Sequence, residues 1–331
     1  MHRKSGAALL VLSAIWGGSF LLIRVAASVL GPIVLMEIRV LLAGLVLLGL
    51  SRLSHTRLDL RERWRHYLVI GIVNSAIPFT LFALAELHLT AGLAAILNAT
   101  GPLFGAGIAA VWTKETLTTK KGIGLLLGLL GVVVLVGWST IPFSITLVLS
   151  LVAALAAAAC YGFASSYIKV YAGGASPLAV ATCSQLGASL FLLPLTAVSP
   201  PLHVPTFPIL LAVAALALVC TAVAYQFYFW LIAHAGPTNA LMVNFLVPIF
   251  GVLWGLIFLG EGVSWGTGLG CGLILGGAGL VTGLRFGKPS EQPQNKHASG
   301  QIHRSRAEQL ESLDGKTEQQ KDSVSLLKKK G

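Results

Sequence analysis

Four charged residues, Arg24, Glu37, Arg39 and Glu86, interrupt apolar stretches long enough to cross a bilayer. A charge at the bilayer centre costs about 2.5–3.5 kcal/mol even on the lenient insertion scale, so such side chains serve pairing, gating or proton transfer, or else snorkel to the headgroups. Two cations and two carboxylates sum to zero, which fits an ion-paired gate in which Glu86 bonds Arg39 or Arg24. Glu86 or Glu37 could also carry a coupling proton. A second chemistry, recognition of a small molecule, needs hydrogen-bonding and aromatic groups at mid-membrane depth. Asn74, Ser75, Asn98, Tyr225, Gln226 and Asn244 meet that need, because polar groups there are costly unless they face a cavity or another helix. Asn98 and Asn244 each precede a proline by four residues, Pro102 and Pro248, so each either lines a cavity or satisfies the carbonyl its proline frees. Trp16 and Tyr161 can form aromatic walls, or simply pack.

Missing motifs narrow the class. There is no His-Glu-x-x-His, no Gly-x-Ser-x-Gly and no aspartate in any apolar stretch, which argues against an intramembrane enzyme. No Walker loop exists for a primary pump. A channel would call for rings of charges or carbonyls that this chain lacks. Cys160, Cys183, Cys220 and Cys271 fall within apolar stretches without metal or disulfide spacing, so they read as buried free thiols and no cofactor is implied.

The elements that must position these residues occur twice. Gly17, Arg24, Pro32 and Leu41 return 145 residues later as Gly162, Lys169, Pro177 and Leu186; from His88 and Asn98 through Gly131, matches such as His234, Asn244 and Gly277 follow at 146. Trp16 and Tyr161 are equivalent in this register, as are Glu115 and Glu261. Each copy holds five apolar stretches of about the 20 residues a bilayer requires. An odd number makes the copies enter the membrane with opposite orientation, the signature of secondary transporters whose site lies at the midplane between the halves. The expected architecture is therefore all-α, with ten transmembrane helices in two inverted five-helix repeats, 1–139 and 140–286, followed by a disordered polar tail, 287–331.

With 55% apolar and 11% charged residues, the chain reads as a polytopic membrane protein with no nucleic-acid role. Placing the amino terminus inside puts nearly all lysine and arginine on the cytoplasmic side and none in the outer loops, so both termini are expected in the cytoplasm. Glu115 and Glu261 are expected to stabilise the helices that start just after them. Gly124 and Gly128, with Gly268, Gly272 and Gly276, give helices 5 and 10 close-packing faces that serve packing within the protomer or a homodimer.

Trp16-Gly17-Gly18-Ser19-Phe20, Glu37-Ile38-Arg39 after Pro32, and Asn98 to Pro102 through Lys114-Glu115, with Tyr161-Gly162, Asn244 to Pro248 and Gly260-Glu261 in the second copy, resemble EamA-type members of the drug/metabolite transporter superfamily. That resemblance spans residues 7 to 285. It implies a bacterial inner-membrane carrier, frequently an exporter of amino acids, related metabolites or toxic small molecules, with the cavity lined by helices 1–4 and 6–9. Uptake by the same fold is the alternative.

Overall fold

The computed structural model describes residues 3–112, 114, 116, 118–138, 144–236 and 240–283. Glu115 and the expected tail lie outside them. Ten apolar helices follow one another with no strand among the described residues: α1 (Lys4–Leu30), α2 (Pro32–Leu53), α3 (Leu60–Ala85), α4 (Ala91–Trp112), α5 (Thr119–Gly137), α6 (Ile145–Tyr171), α7 (Pro177–Thr196), α8 (Phe207–Ala235), α9 (Val243–Leu259) and α10 (Trp265–Thr282). Nine have the length and hydropathy of a membrane span, and α9 is a shorter apolar helix. The protein is a multi-pass membrane protein.

Local chemistry sets the helix starts. Pro32 and Pro177 open α2 and α7, where the missing N–H costs nothing, and Gly31 turns the chain from α1 with φ 77°. Thr90, Thr118, Ser144 and Ser264 cap α4, α5, α6 and α10 with side-chain oxygens that accept backbone N–H groups. Two helices are locally wound as π-helix, α3 over Ile72–Ala76 and α8 over Leu218–Val223. These segments are equivalent under the 146-residue shift. The first half of α4, Ala91–Asn98, meets the second half, Gly101–Trp112, at a turn over Ala99 and Thr100.

Helix partners repeat in the same register. α1 packs along α9, as α6 packs along the second half of α4; α2 packs on α7 and α5 on α10. Glycine permits the closest approaches. A Cβ on Gly17 would stand 2.8 Å from the nitrogen of Gly251, and one on Gly162 would stand 2.5 Å from the nitrogen of Gly105, the equivalent contact. Gly124 faces Gly277 and Gly131 faces Gly270, again equivalent pairs, so the tight seam of α5 and α10 lies inside the protomer. The stripe singled out in α10 behaves differently: Gly268, Gly272 and Gly276 have nothing within 4 Å of an added Cβ, and Gly266, Gly270 and Gly277 make the close contacts instead.

Loops gather at two ends. His203 donates its backbone N–H to Val29 and Ser264 its hydroxyl to Trp138 at one end, while Arg63 reaches the Gly173 carbonyl at the other.

Candidate functional site

Where α3 and α8 are wound as π-helix, the extra residue per turn displaces the backbone bonds, and such bulges recur at functional sites. Thr221, in the π-segment of α8, donates its hydroxyl to the Leu216 carbonyl five residues earlier (2.9 Å) and accepts the Nε–H of Arg39 from α2 (3.0 Å). Ser75, the equivalent residue of α3, accepts from the Gln185 amide of α7 at 3.0 Å. Each bulge thus takes one hydrogen bond from the second helix of the other copy. In one case the donor is a cation and in the other a neutral amide.

Aromatic pairs flank these bonds. Tyr161 of α6 stacks on Phe82 of α3 with centroids 6.1 Å apart, and the equivalent Trp16 of α1 meets Tyr228 of α8 at 5.5 Å. The guanidinium carbon of Arg39 sits 4.0 Å above the Phe79 ring. Tyr225, the equivalent of Phe79, lies within reach of Gln185, Asn74 and Ser75. Tyr161 and Tyr225 are surrounded by protein and neighbour Arg39, yet both keep accessible surface. Residues of α2, α3, α6 and α8 thus gather around the guanidinium of Arg39.

The carboxylates occupy different settings. Glu37 accepts the Ser189 hydroxyl at 2.6 Å through one oxygen, and its other oxygen has no partner among the described residues. Glu86 is 1% exposed, and neither of its oxygens has one. Arg24 does not pair with that carboxylate: it donates to the backbone carbonyls of Glu86 and Leu89 and pairs with Glu261 at 3.4 Å. Arg39 stays apart as well. Phe79, Phe82 and Glu86 lie along one face of α3, and seven residues of helix separate the level of Arg39 from that of Glu86 by about 10 Å.

Glu261 holds this end of the molecule together. Its two oxygens accept the N–H groups of Ala91 (2.7 Å) and Gly92 (3.0 Å), the first turn of α4. The expectation that it stabilises the helix just after it fails, because Ser264 and Thr267 already form a capping box there. Glu261 serves the start of α4 instead.

Two further places were weighed. Asn98 and Asn244 are half-buried, and their side-chain amides bond nothing among the described residues; the hydroxyl of Thr100 rather than Asn98 reaches the carbonyl of Leu97. A recess of about 710 Å³ opens between α4, α5 and α6, lined by Leu103, Phe104, Ile108, Trp112 and Phe163 among others. The hydroxyl of Thr100 is already used, and apart from the indole of Trp112 the lining side chains are apolar.

Known proteins share this pattern along the whole membrane part. The EamA-like transporter family matches twice, at residues 4–137 and 148–283. The chain belongs to that family. It is 26% identical over 302 residues to the uncharacterized inner membrane transporter YedA of Escherichia coli, covering 89% of this chain and 96% of the relative. It is 25% identical over 307 residues to the uncharacterized transporter YvbV of Bacillus subtilis, covering 90% and 96%. A solved crystal structure 22% identical in sequence superposes with a TM-score of 0.60 over 83% of this chain and 96% of that one, a likeness of fold.

Of the candidate residues in this EamA-like transporter, Asn74, Tyr161, Tyr225 and Arg39 come together. Trp16 lies on the equivalent side with Tyr228. Gln226 has a buried amide nitrogen with no partner among the described residues. Arg24 and Glu86 stand at the end closed by Glu261. Sequence patterns missed Gln185, Thr221, Phe79 and the role of Glu261. The repeat carried a signal for two of them, since Thr221 is the equivalent of Ser75 and Phe79 of Tyr225.

Proposed function

We propose that this chain is a secondary transporter that exports small metabolites across the bacterial inner membrane by alternating access. Residues 1–139 and 140–286 form two inverted repeats, and both termini lie in the cytoplasm. The recurrence of α1 on α9 as α6 on α4, and of Gly17 on Gly251 as Gly162 on Gly105, supports the two-fold relation. The arginines of the α2–α3 connection and the lack of lysine or arginine in the loops at the Glu261 end support the orientation.

One observation carries alternating access. Ala95 in the first half of α4 has no exposure, whereas its repeat equivalent Leu241 is 39% exposed. The contacts among Arg24, Glu261 and the start of α4 support a closed outer side, and the exposure of Leu241 supports a looser cytoplasmic one. A carrier that rocks about its two-fold axis exchanges these two conditions. Glu86 is the proton site of this scheme: a carboxylate buried without a donor is expensive, and binding a proton relieves the cost.

Expression in a bacterial host stripped of its major exporters, with mass spectrometry of cells and medium, tests the proposal. A compound should accumulate outside with the wild type, and Glu86→Gln at equal expression should abolish its dependence on the proton gradient. Accumulation inside the cells would replace export by uptake, and a gradient response unchanged in Glu86→Gln would remove Glu86 from coupling.

A further inference from the structure

We infer that Arg39 is the anion-binding residue of the transport site, and that the substrate carries a carboxylate on a flat apolar or aromatic body. This rests on the transport proposal above and adds the class of cargo.

Arg39 is 5% exposed and lies in the middle of α2. A guanidinium has five N–H donors in a fork that matches a carboxylate. Here one of them meets the Thr221 oxygen, and the Nη1 end meets only the Met36 sulfur at 4.0 Å. No carboxylate lies within 4.0 Å of it among the described residues. The nearby carboxylates are otherwise engaged or out of reach: Glu37 faces Ser189 on α7, and Glu86 lies about 10 Å away along α3. A cation placed at this depth without a counter-charge is a cost that a bound anion removes.

The surroundings define the rest of the ligand. Phe79 holds one face of the guanidinium, and Tyr161 and Tyr225 are among its neighbours. Phe82 extends the wall by stacking on Tyr161. Aromatic surfaces beside a charged fork select a planar apolar body with one acidic end. The donor to the other bulge, Gln185, is neutral, and so is Ser184, the repeat equivalent of Arg39. The charge therefore sits on one side of the two-fold axis, and a bound anion is oriented rather than held equally by both halves.

Three probes of one shape and different charge test this: phenylacetate, phenylacetamide and phenethylamine, added to the full-length protein purified in detergent, with thermal unfolding as readout. Phenylacetate should raise the melting temperature and the other two should not. Arg39→Gln should weaken phenylacetate binding about tenfold or more, as expected for a hydrogen-bonded charge pair, and Arg39→Lys should restore part of it. Equal stabilisation by phenylacetamide, unchanged phenylacetate binding in Arg39→Gln, or no effect of phenylacetate on the wild type would each overturn the assignment. If Arg39→Gln does not fold, the three probes on the wild type and the Arg39→Lys variant decide. Counterflow of labelled phenylacetate in proteoliposomes separates the two proposals. Binding without counterflow sinks transport and leaves the site, whereas carboxylate export untouched by Arg39→Gln leaves transport and removes the site.

Discussion

Glu261 joins three elements that are distant in sequence: α9, which it follows, α4, whose first N–H groups it accepts, and α1, through Arg24. A carboxylate at a helix N-terminus gains from the orphan donors and from the helix dipole, and truncating such a cap costs about 0.5–2 kcal/mol. Glu261→Ala also leaves Arg24 with backbone carbonyls alone, so the closed end should lose about 2 kcal/mol relative to an open one. The expected result is a lower melting temperature together with faster maleimide labelling of a cysteine introduced at Leu93, which is 7% exposed beside this cluster. Glu261→Gln keeps one acceptor for the α4 N–H groups and should fall between Glu261→Ala and the wild type in both measurements. Unchanged labelling in Glu261→Ala would show that the closed end does not depend on this contact.

Helix positions were legible because hydropathy and capping act locally: Pro32, Pro177, Thr90, Ser144 and Ser264 announce the starts of their helices in the sequence itself. The π-segments were not legible. Nothing in Ile72–Ala76 or Leu218–Val223 marks an extra residue per turn, and the bonds that stabilise it come from Gln185 and Arg39 on other helices. The same distinction explains the glycines of α5 and α10. Four-residue spacing finds a small-residue face but not which face meets a neighbour, and the facing set was Gly266, Gly270 and Gly277. Gly277→Leu would drive a side chain into the backbone of Gly124 and Gly128, where overpacking costs about 1–3 kcal/mol, and should lower the melting temperature. Gly272→Leu meets open space and should leave it unchanged. If Gly272→Leu instead abolishes a cross-linked dimer in membranes, that outer stripe is where two copies meet.

At the scale of the whole molecule, a duplicated chain has two equivalent arrangements, and a structure that adopts one of them must be asymmetric in detail. The asymmetry here runs through equivalent residues: Ala95 against Leu241 in exposure, Arg39 against Ser184 in charge, Phe79 against Tyr225 in hydrogen bonding. A one-dimensional repeat reveals which residues exchange roles but not which set is closed, since both sets have nearly the same hydropathy. Exchange is measurable with two single cysteines in a background where Cys160, Cys183, Cys220 and Cys271 are replaced. Leu241→Cys should react from the cytoplasmic side in resting, inside-out vesicles, and Ala95→Cys should be silent. Imposing the proton gradient and substrate that drive the carrier to its other state should reverse the pair, with Ala95→Cys reactive from the outside and Leu241→Cys protected. Reactivities that rise or fall together would mean that the two halves do not rock against each other, whereas opposite changes require a barrier that moves from one side of the site to the other.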